Sequence, residues 1–235
     1  MVIFSSMKNN WHSSEKFNRQ AADFDSNPRR TRIAEAVATA ITKTVPLKGS
    51  TEGLEFGCGT GLVTMQVAPR LRHLTAIDTS HRMLGVLEGK LIASGIKNIE
   101  TLCLDLSSAE DRRRLKAPYD FIYSSMTLHH IDSTAPFIGI LFNMLSDGGT
   151  LAIADLDHEE GLFHDDPEEK VHPGFDRKKL TEMLEQAGFA GISFKTAHTV
   201  EKKNRAGVDA SYPIFLLTAH KPPLISLSTF SSPRP

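Results

Sequence analysis

Only two cysteines, Cys58 and Cys103, occur in the 235 residues. That is too few for a disulfide framework, so a reducing compartment is expected, and the cytoplasm with it. Charge of neither sign predominates. The 27 basic and 28 acidic side chains leave a net charge of −1, which excludes the whole-molecule electrostatic grip that nucleic-acid binding draws on. No apolar run comes near the roughly 20 residues that cross a bilayer. The opening MVIFSSMKNNWHSSEK turns polar before a secretory hydrophobic region can form. Neither nucleic acid nor a membrane is therefore expected as partner, and the chain is expected to be a monomer or a homodimer. Tryptophan occurs once, at Trp11, where it is expected to pack the N-terminus onto the core. There is no internal repeat. One segment is compositionally biased: residues 221–235 carry four prolines and four serines and read as a disordered tail. What remains has 40% hydrophobic residues across the chain, enough to bury the core of one ordinary domain.

The chain divides into a helical N-terminal extension over 1–46, an α/β domain over 47–220 and the tail. In the extension, Asn27-Pro28 is a helix start, with Asn as N-cap and Pro in the first turn. Ile33, Val37 and Ile41 then recur every four residues as an apolar stripe until Pro46 ends it. From residue 52 the pattern alternates. Strands are expected at 52–56, 73–77, 99–104, 119–124 and 149–155, with helices at 62–68, 80–94 and 136–145. Strands joined by helical crossovers imply a parallel sheet. A capped helix at 176–187 stops at Gly188, and two strands follow at about 192–200 and 212–219 with no helix between them. These are expected to pair antiparallel at the sheet edge.

Three strand ends carry chemistry. Glu55-Phe56-Gly57-Cys58-Gly59-Thr60-Gly61 follows the first strand and opens a helix. Its glycines allow a tight turn and close backbone approach to a ligand. In open α/β sheets the ligand crevice lies outside the strands' carboxyl ends. The spacing is G-x-G-x-G, not the G-x-G-x-x-G of dinucleotide sites. Glu55 would repel a pyrophosphate and suits a ligand bearing an ammonium or sulfonium group. Asp78 ends the second strand, 17 residues after Gly61. It reads as an acceptor for both hydroxyls of a ribose, or as a helix cap together with Thr79 and Ser80. Asp105 ends the third strand, placed to accept from an exocyclic adenine amine while Leu106 covers the ring, or to cap the next helix. Cys58 reads as a small buried filler and not a nucleophile.

As a set, these positions resemble the class I S-adenosylmethionine-dependent methyltransferases, particularly the small-molecule branch of ubiquinone/menaquinone-type enzymes. The resemblance covers roughly residues 15–220. It rests on LEFGCGTG at 54–61, AID at 76–78, LDL at 104–106, YDFIYSSMTLHH at 119–130 and LSDGGTL at 145–151. It implies a doubly wound, seven-stranded, mostly parallel sheet with an antiparallel last strand, the Rossmann-like methyltransferase fold. It implies S-adenosyl-L-methionine as cofactor and a small-molecule methyl acceptor, secondary metabolism being one setting for such chemistry. Carried over residue by residue, Glu55, Gly57, Gly59 and Gly61 hold the methionine end, Asp78 the ribose, and Asp105 with Leu106 the adenine. Phe56, Cys58, Thr79, Met83 and Ser124 join them in the cofactor site. The stretch 18–24 resembles the segment that folds over the cofactor in this branch.

His129 and His130 lie just past the fourth strand, nearest the reactive methyl group in the family, and are the candidate catalytic residues. Two adjacent histidines are expected to face different ways, one toward the substrate as general base or orienting group and the other into packing or a cap, unless both are structural. Residues 157–172 hold seven acids and three histidines. They read either as a substrate lid that disfavours anionic acceptors or as a solvated acidic loop. No metal is expected, because the fourth-strand loop lacks the acid that magnesium-dependent catechol methyltransferases place there. Arg112-Arg113-Arg114 reads as a solvated face. Two other functions stay open: a catalytically silent methyltransferase fold that binds a partner, and a nicotinamide oxidoreductase, which the glycine spacing disfavours.

Overall fold

The computed structural model describes residues 14–223. Its strands are β1 (Glu52–Phe56), β2 (His73–Asp78), β3 (Ile99–Cys103), β4 (Tyr119–Ser125), β5 (Leu145–Leu156), β6 (Ala190–Lys203) and β7 (Asp209–His220). They form one seven-stranded sheet in the order β3-β2-β1-β4-β5-β7-β6. The first five pair parallel, while β7 runs antiparallel to both β5 and β6. The expected α/β sheet with a reversed last strand is therefore present. Helices are α1 (Ser14–Gln20), α2 (Pro28–Thr44), α3 (Thr64–Val67), α4 (His81–Ser94), α5 (Ala109–Arg112), α6 (Thr134–Met144) and α7 (Arg177–Ala187). Among the described residues no helix is long and apolar enough to cross a membrane.

Period-2 alternation in the central strands sorts side chains onto two faces. Ile122, Leu151, Ile153, Phe215 and Leu217 pack with α6 and α7. Phe121, Tyr123, Ala152, Ala154, Ile214 and Leu216 pack with α2. The apolar stripe of α2, Ile33, Val37 and Ile41, is buried in that second layer, so this part of the extension belongs to the same core as the sheet. Asn27 caps α2 by accepting from the Arg29 amide at 3.0 Å. Asp176 caps α7 through the Lys179 amide at 2.9 Å, and Gly188 ends it with φ +102°.

The expected helix at 62–68 is shorter. It forms a single turn, Thr64–Val67, and tightens into a 3-10 turn at Ala68–Arg70, because Pro69 has no amide to continue the ladder. The two last strands are longer than their sequence signal. Lys221, placed in the tail by composition, is still tied to the sheet: its ammonium donates to the Leu145 carbonyl at 2.8 Å. Trp11 and the tail beyond 223 lie outside the described residues.

Candidate active site

The strand order reverses about β1, which has β2 on one side and β4 on the other. A cavity of about 880 Å³ opens there, at the carboxyl ends of β1, β2 and β4. Roughly 300–1,000 Å³ is usual for a small-molecule site. Its floor is the glycine turn. Gly57 has φ +66° and a Cβ there would lie 2.3 Å from the Thr127 side chain. Gly61 has φ +83° and would meet Leu87 of α4 at 2.3 Å. Both glycines admit close packing, and Gly57 also lines the cleft. Gly59, with φ +55°, has open space where its Cβ would be and lines the cleft, so it is the position where backbone itself faces a ligand.

Glu55 is 2% exposed. Both hydroxyls that reach it, Thr64 at 2.6 Å and Tyr123 at 2.8 Å, donate to the same oxygen, Oε2. Burial raises its pKa to about 7 despite those two bonds. Asp78 answers both of its sequence readings in part. One oxygen accepts from the Ser80 amide and the other from the Gly59 amide, each at 2.8 Å. The helix cap itself is Ser80, whose hydroxyl accepts from the Met83 amide at 3.2 Å. Asp78 thus pins the glycine turn to the start of α4 while its carboxylate lines the cleft, and burial pushes its pKa up. Asp105 turns back on the Ser107 amide at 2.8 Å and lines the cleft with Leu106. Burial beside Asp78 and Glu55 holds the Cys58 thiol well above its ordinary pKa, as suits a filler.

Of the cofactor residues carried over from the family, Phe56, Thr79 and Met83 also line the cleft. Gly61 and Ser124 do not. Gly61 is taken up by Leu87, and the buried Ser124 hydroxyl donates to the Phe56 carbonyl at 2.8 Å, tying β4 to β1 behind the site.

His129 and His130 both line the cleft, with ring centroids 4.2 Å apart. They sit in a 3-10 turn, Leu128–His130, and His129 is the one that packs, anchored from below by Asp155. Asp155 is fully buried. It holds His129 Nδ1 at 2.7 Å and accepts from the His129 amide at 3.1 Å and its neighbour Leu156's amide at 2.7 Å. His129 is therefore a fixed part of the wall. His130 stands edge-on to Phe17, centroids 5.3 Å apart, and burial beside His129 pushes its pKa well down.

The N-terminal stretch closes the cleft from the other side. Asn18 Oδ1 accepts from the Ser80 hydroxyl at 2.7 Å. Asp25 accepts from the Thr60 hydroxyl and pairs with Lys90, both at 2.5 Å. The acidic segment meets this stretch. Glu169 pairs with Lys16 at 2.5 Å and with His164 Nδ1 at 3.1 Å. Burial would raise the Glu169 pKa, but those two partners outweigh it and bring it down to about 2. Asp165 pairs with Lys202 at 2.8 Å and Asp157 takes Arg177 in two bonds of 2.7 Å. Glu159 holds the Leu162 and Phe163 amides at 2.6 and 3.1 Å. Three of the seven acids, Asp157, Asp165 and Glu169, are thus paired with cations, while Asp165, Asp166, Glu168 and Glu169 line the cleft. Among the described residues no group of three or more His, Cys, Asp or Glu side chains is arranged to hold a metal.

Asp155 and Lys16 escaped the sequence reading as site residues, and Glu169 and His164 entered it only as members of the acidic segment. Asp155 left one signal, an acid closing an apolar strand. The other three are brought together only by the meeting of two segments about 150 residues apart.

The sequence profile of a methyltransferase domain family matches residues 27–193. The chain belongs to this methyltransferase family. S-adenosyl-L-methionine is the cofactor of the class, as the sequence led one to expect. The chain is similar to a malonyl-[acyl-carrier protein] O-methyltransferase of Bacillus cereus, 27% identical over 184 residues, which cover 77% of this chain and 63% of the relative. A ubiquinone biosynthesis O-methyltransferase of Xylella fastidiosa is 29% identical over 124 residues, 52% of this chain and 48% of the relative. The methyltransferase chain thus spans about half to two-thirds the length of these relatives. In fold it resembles an N-methyltransferase of Bradyrhizobium japonicum crystallised with S-adenosyl-L-homocysteine, at a TM-score of 0.63 and 17% identity, covering 91% of this chain and all of that one.

Proposed function

We propose that this methyltransferase binds S-adenosylmethionine along the glycine turn and methylates a small molecule held at the histidine end of the cleft. The observation that carries the reading is Glu55 beside Gly59. Glu55 is a buried carboxylate whose two hydroxyl donors occupy one oxygen, set next to a turn with open space where a Cβ would project. Such a carboxylate lacks a cation, and the methionine portion of the cofactor carries an ammonium and a sulfonium. In this reading Glu55, Gly57 and Gly59 hold the methionine end, Asp78 with Thr79 and Met83 the ribose, and Asp105 with Leu106 the adenine. When bound, the cofactor supplies an electrophilic methyl group. The chain's part is to orient the acceptor and exclude water. His129 and His130 wall the acceptor end, and the segments around Lys16 and Glu169 cover it.

Calorimetry with S-adenosylmethionine, S-adenosylhomocysteine and NAD tests this reading. Both sulfur compounds should bind at least about tenfold tighter than NAD, a margin of about 1.4 kcal/mol. Preference for NAD would mark an oxidoreductase. Cofactor binding with no transfer of a labelled methyl group to any metabolite pool would favour a silent binding module.

A further inference from the structure

The acceptor end holds a second histidine–carboxylate pair, supplied by the segment that covers the cleft. His164 presents Nδ1 to Glu169 Oε2 at 3.1 Å. Its other nitrogen, Nε2, is buried and has no hydrogen-bond partner among the described residues. The His164 ring lies 5.0 Å from that of His129 and 5.9 Å from that of His130, and all three line the same cleft. A carboxylate on Nδ1 fixes the proton on that nitrogen and leaves Nε2 as a bare acceptor. A buried acceptor without a donor costs roughly 1–3 kcal/mol, so this nitrogen is short of one O–H or N–H. The surrounding wall carries Phe17, Phe24, Phe137 and Phe163, rings that pack on flat aromatic surfaces.

We infer that His164, oriented by Glu169, is the general base of this methyltransferase and that its acceptor is a phenolic hydroxyl. The inference rests on the methyl-transfer reading above and narrows its acceptor. The O–H bond breaks with its electron pair left on the acceptor oxygen, and the proton passes to Nε2. Glu169 holds the resulting imidazolium. The oxygen's pair forms the new bond to the methyl carbon as the carbon–sulfur pair departs with sulfur, and the proton is later lost to water. An acceptor that presents a carboxylate is already anionic and needs no such base. A phenol gives up its proton to an imidazole more readily than an alkyl alcohol does, and its ring suits the aromatic lining of the cleft. His129 carries the same arrangement, with Nδ1 on Asp155 at 2.7 Å, but the buried nitrogen that lacks a partner is that of His164. The charged groups facing His164 are Glu169 and Lys16 from the two covering segments, His129 and His130 from the turn after β4, and Asp165 from its own loop.

The test uses 4-nitrophenol as the probe, with the full chain saturated by S-adenosylhomocysteine and binding of the latter measured first by calorimetry. Failure of that first step overturns the cofactor reading by itself. Given binding, the absorbance of the bound probe should report phenolate at pH values where the free probe is still largely protonated, an apparent shift of about one pH unit or more. His164→Gln should abolish the shift and Glu169→Gln should reduce it, with S-adenosylhomocysteine affinity kept within about twofold in both. His198→Gln, at a histidine outside the cleft, should keep it. The inference is overturned if the probe does not bind, if it binds without ionising, if His164→Gln leaves the shift intact, or if His198→Gln removes it as well. Should His164→Gln prove unfolded by circular dichroism, Glu169→Gln decides: an unchanged shift there removes the pair from the chemistry.

Discussion

Glu55 sits where water cannot follow, and its pKa of about 7 when the cleft is empty makes it the titrating residue of the site. A carboxyl raised above its ordinary value supports the fold most when protonated. That support is whole below about pH 4.5 and is lost as the pH rises through about 7. Asp78, raised by burial as well, acts in the same direction. The cofactor-free protein should therefore melt at a lower temperature at pH 8 than at pH 5, and Glu55→Gln should flatten part of that slope. Cofactor affinity should run the other way. The ionised carboxylate is the form that attracts a cation, so affinity should rise with pH through about 7 in the wild type and stay flat in Glu55→Gln; calorimetry across that range checks it. Asp78 yields a different expectation from the one its position in sequence suggests. Because it holds the amides of Gly59 and Ser80, Asp78→Ala should weaken the fold as well as the cofactor site, by about 1–3 kcal/mol for the orphaned donors. A denaturant titration showing no loss would remove the structural role and leave the ribose role alone.

At the scale of elements, the cover over the acceptor end is built from two pieces, the stretch before α2 and the loop at 157–172. Lys202 of β6 ties the loop to the sheet edge through the Phe163 carbonyl and Asp165, and Glu159 braces it from within on the Leu162 and Phe163 amides. Glu159→Ala should loosen the loop. Proteolysis within it should quicken about tenfold if those bonds contribute about 1.4 kcal/mol to its closed form. Glu160→Gln, which removes one charge as Glu159→Ala does but leaves the Glu159 bonds in place, should leave the cleavage rate as it was. Equal cleavage of both variants would show that net charge, and not the cap, keeps the loop closed. The helices on the sheet faces were readable beforehand because their apolar residues recur at helical spacing and their caps are Asn27, Asp176 and Gly188. The single-turn α3 was not, since Pro69 cuts it short and four residues carry no period.

For the whole molecule, the last strand returns through Lys221, which closes on β5. Deleting 224–235 should leave the melting temperature unchanged within about 2 °C, while a deletion that also takes Lys221 should lower it by several degrees. A large drop from the shorter deletion would show that the tail belongs to the core. The sequence alone determined the alternation of strands and helices, the reversed last strand and the three acids at strand ends. Each of these is local: a period, a cap, or a residue type at the end of an apolar run. The tertiary structure alone decided what surrounds each glycine of the turn: Gly57 is packed on Thr127, Gly61 on Leu87, and Gly59 has open space, while only Gly57 and Gly59 line the cleft. It also decided that two adjacent histidines share one wall, and that Lys16, His164 and Glu169 meet. These depend on how segments far apart in the chain are brought together by burial, and no period or spacing within either segment records that meeting.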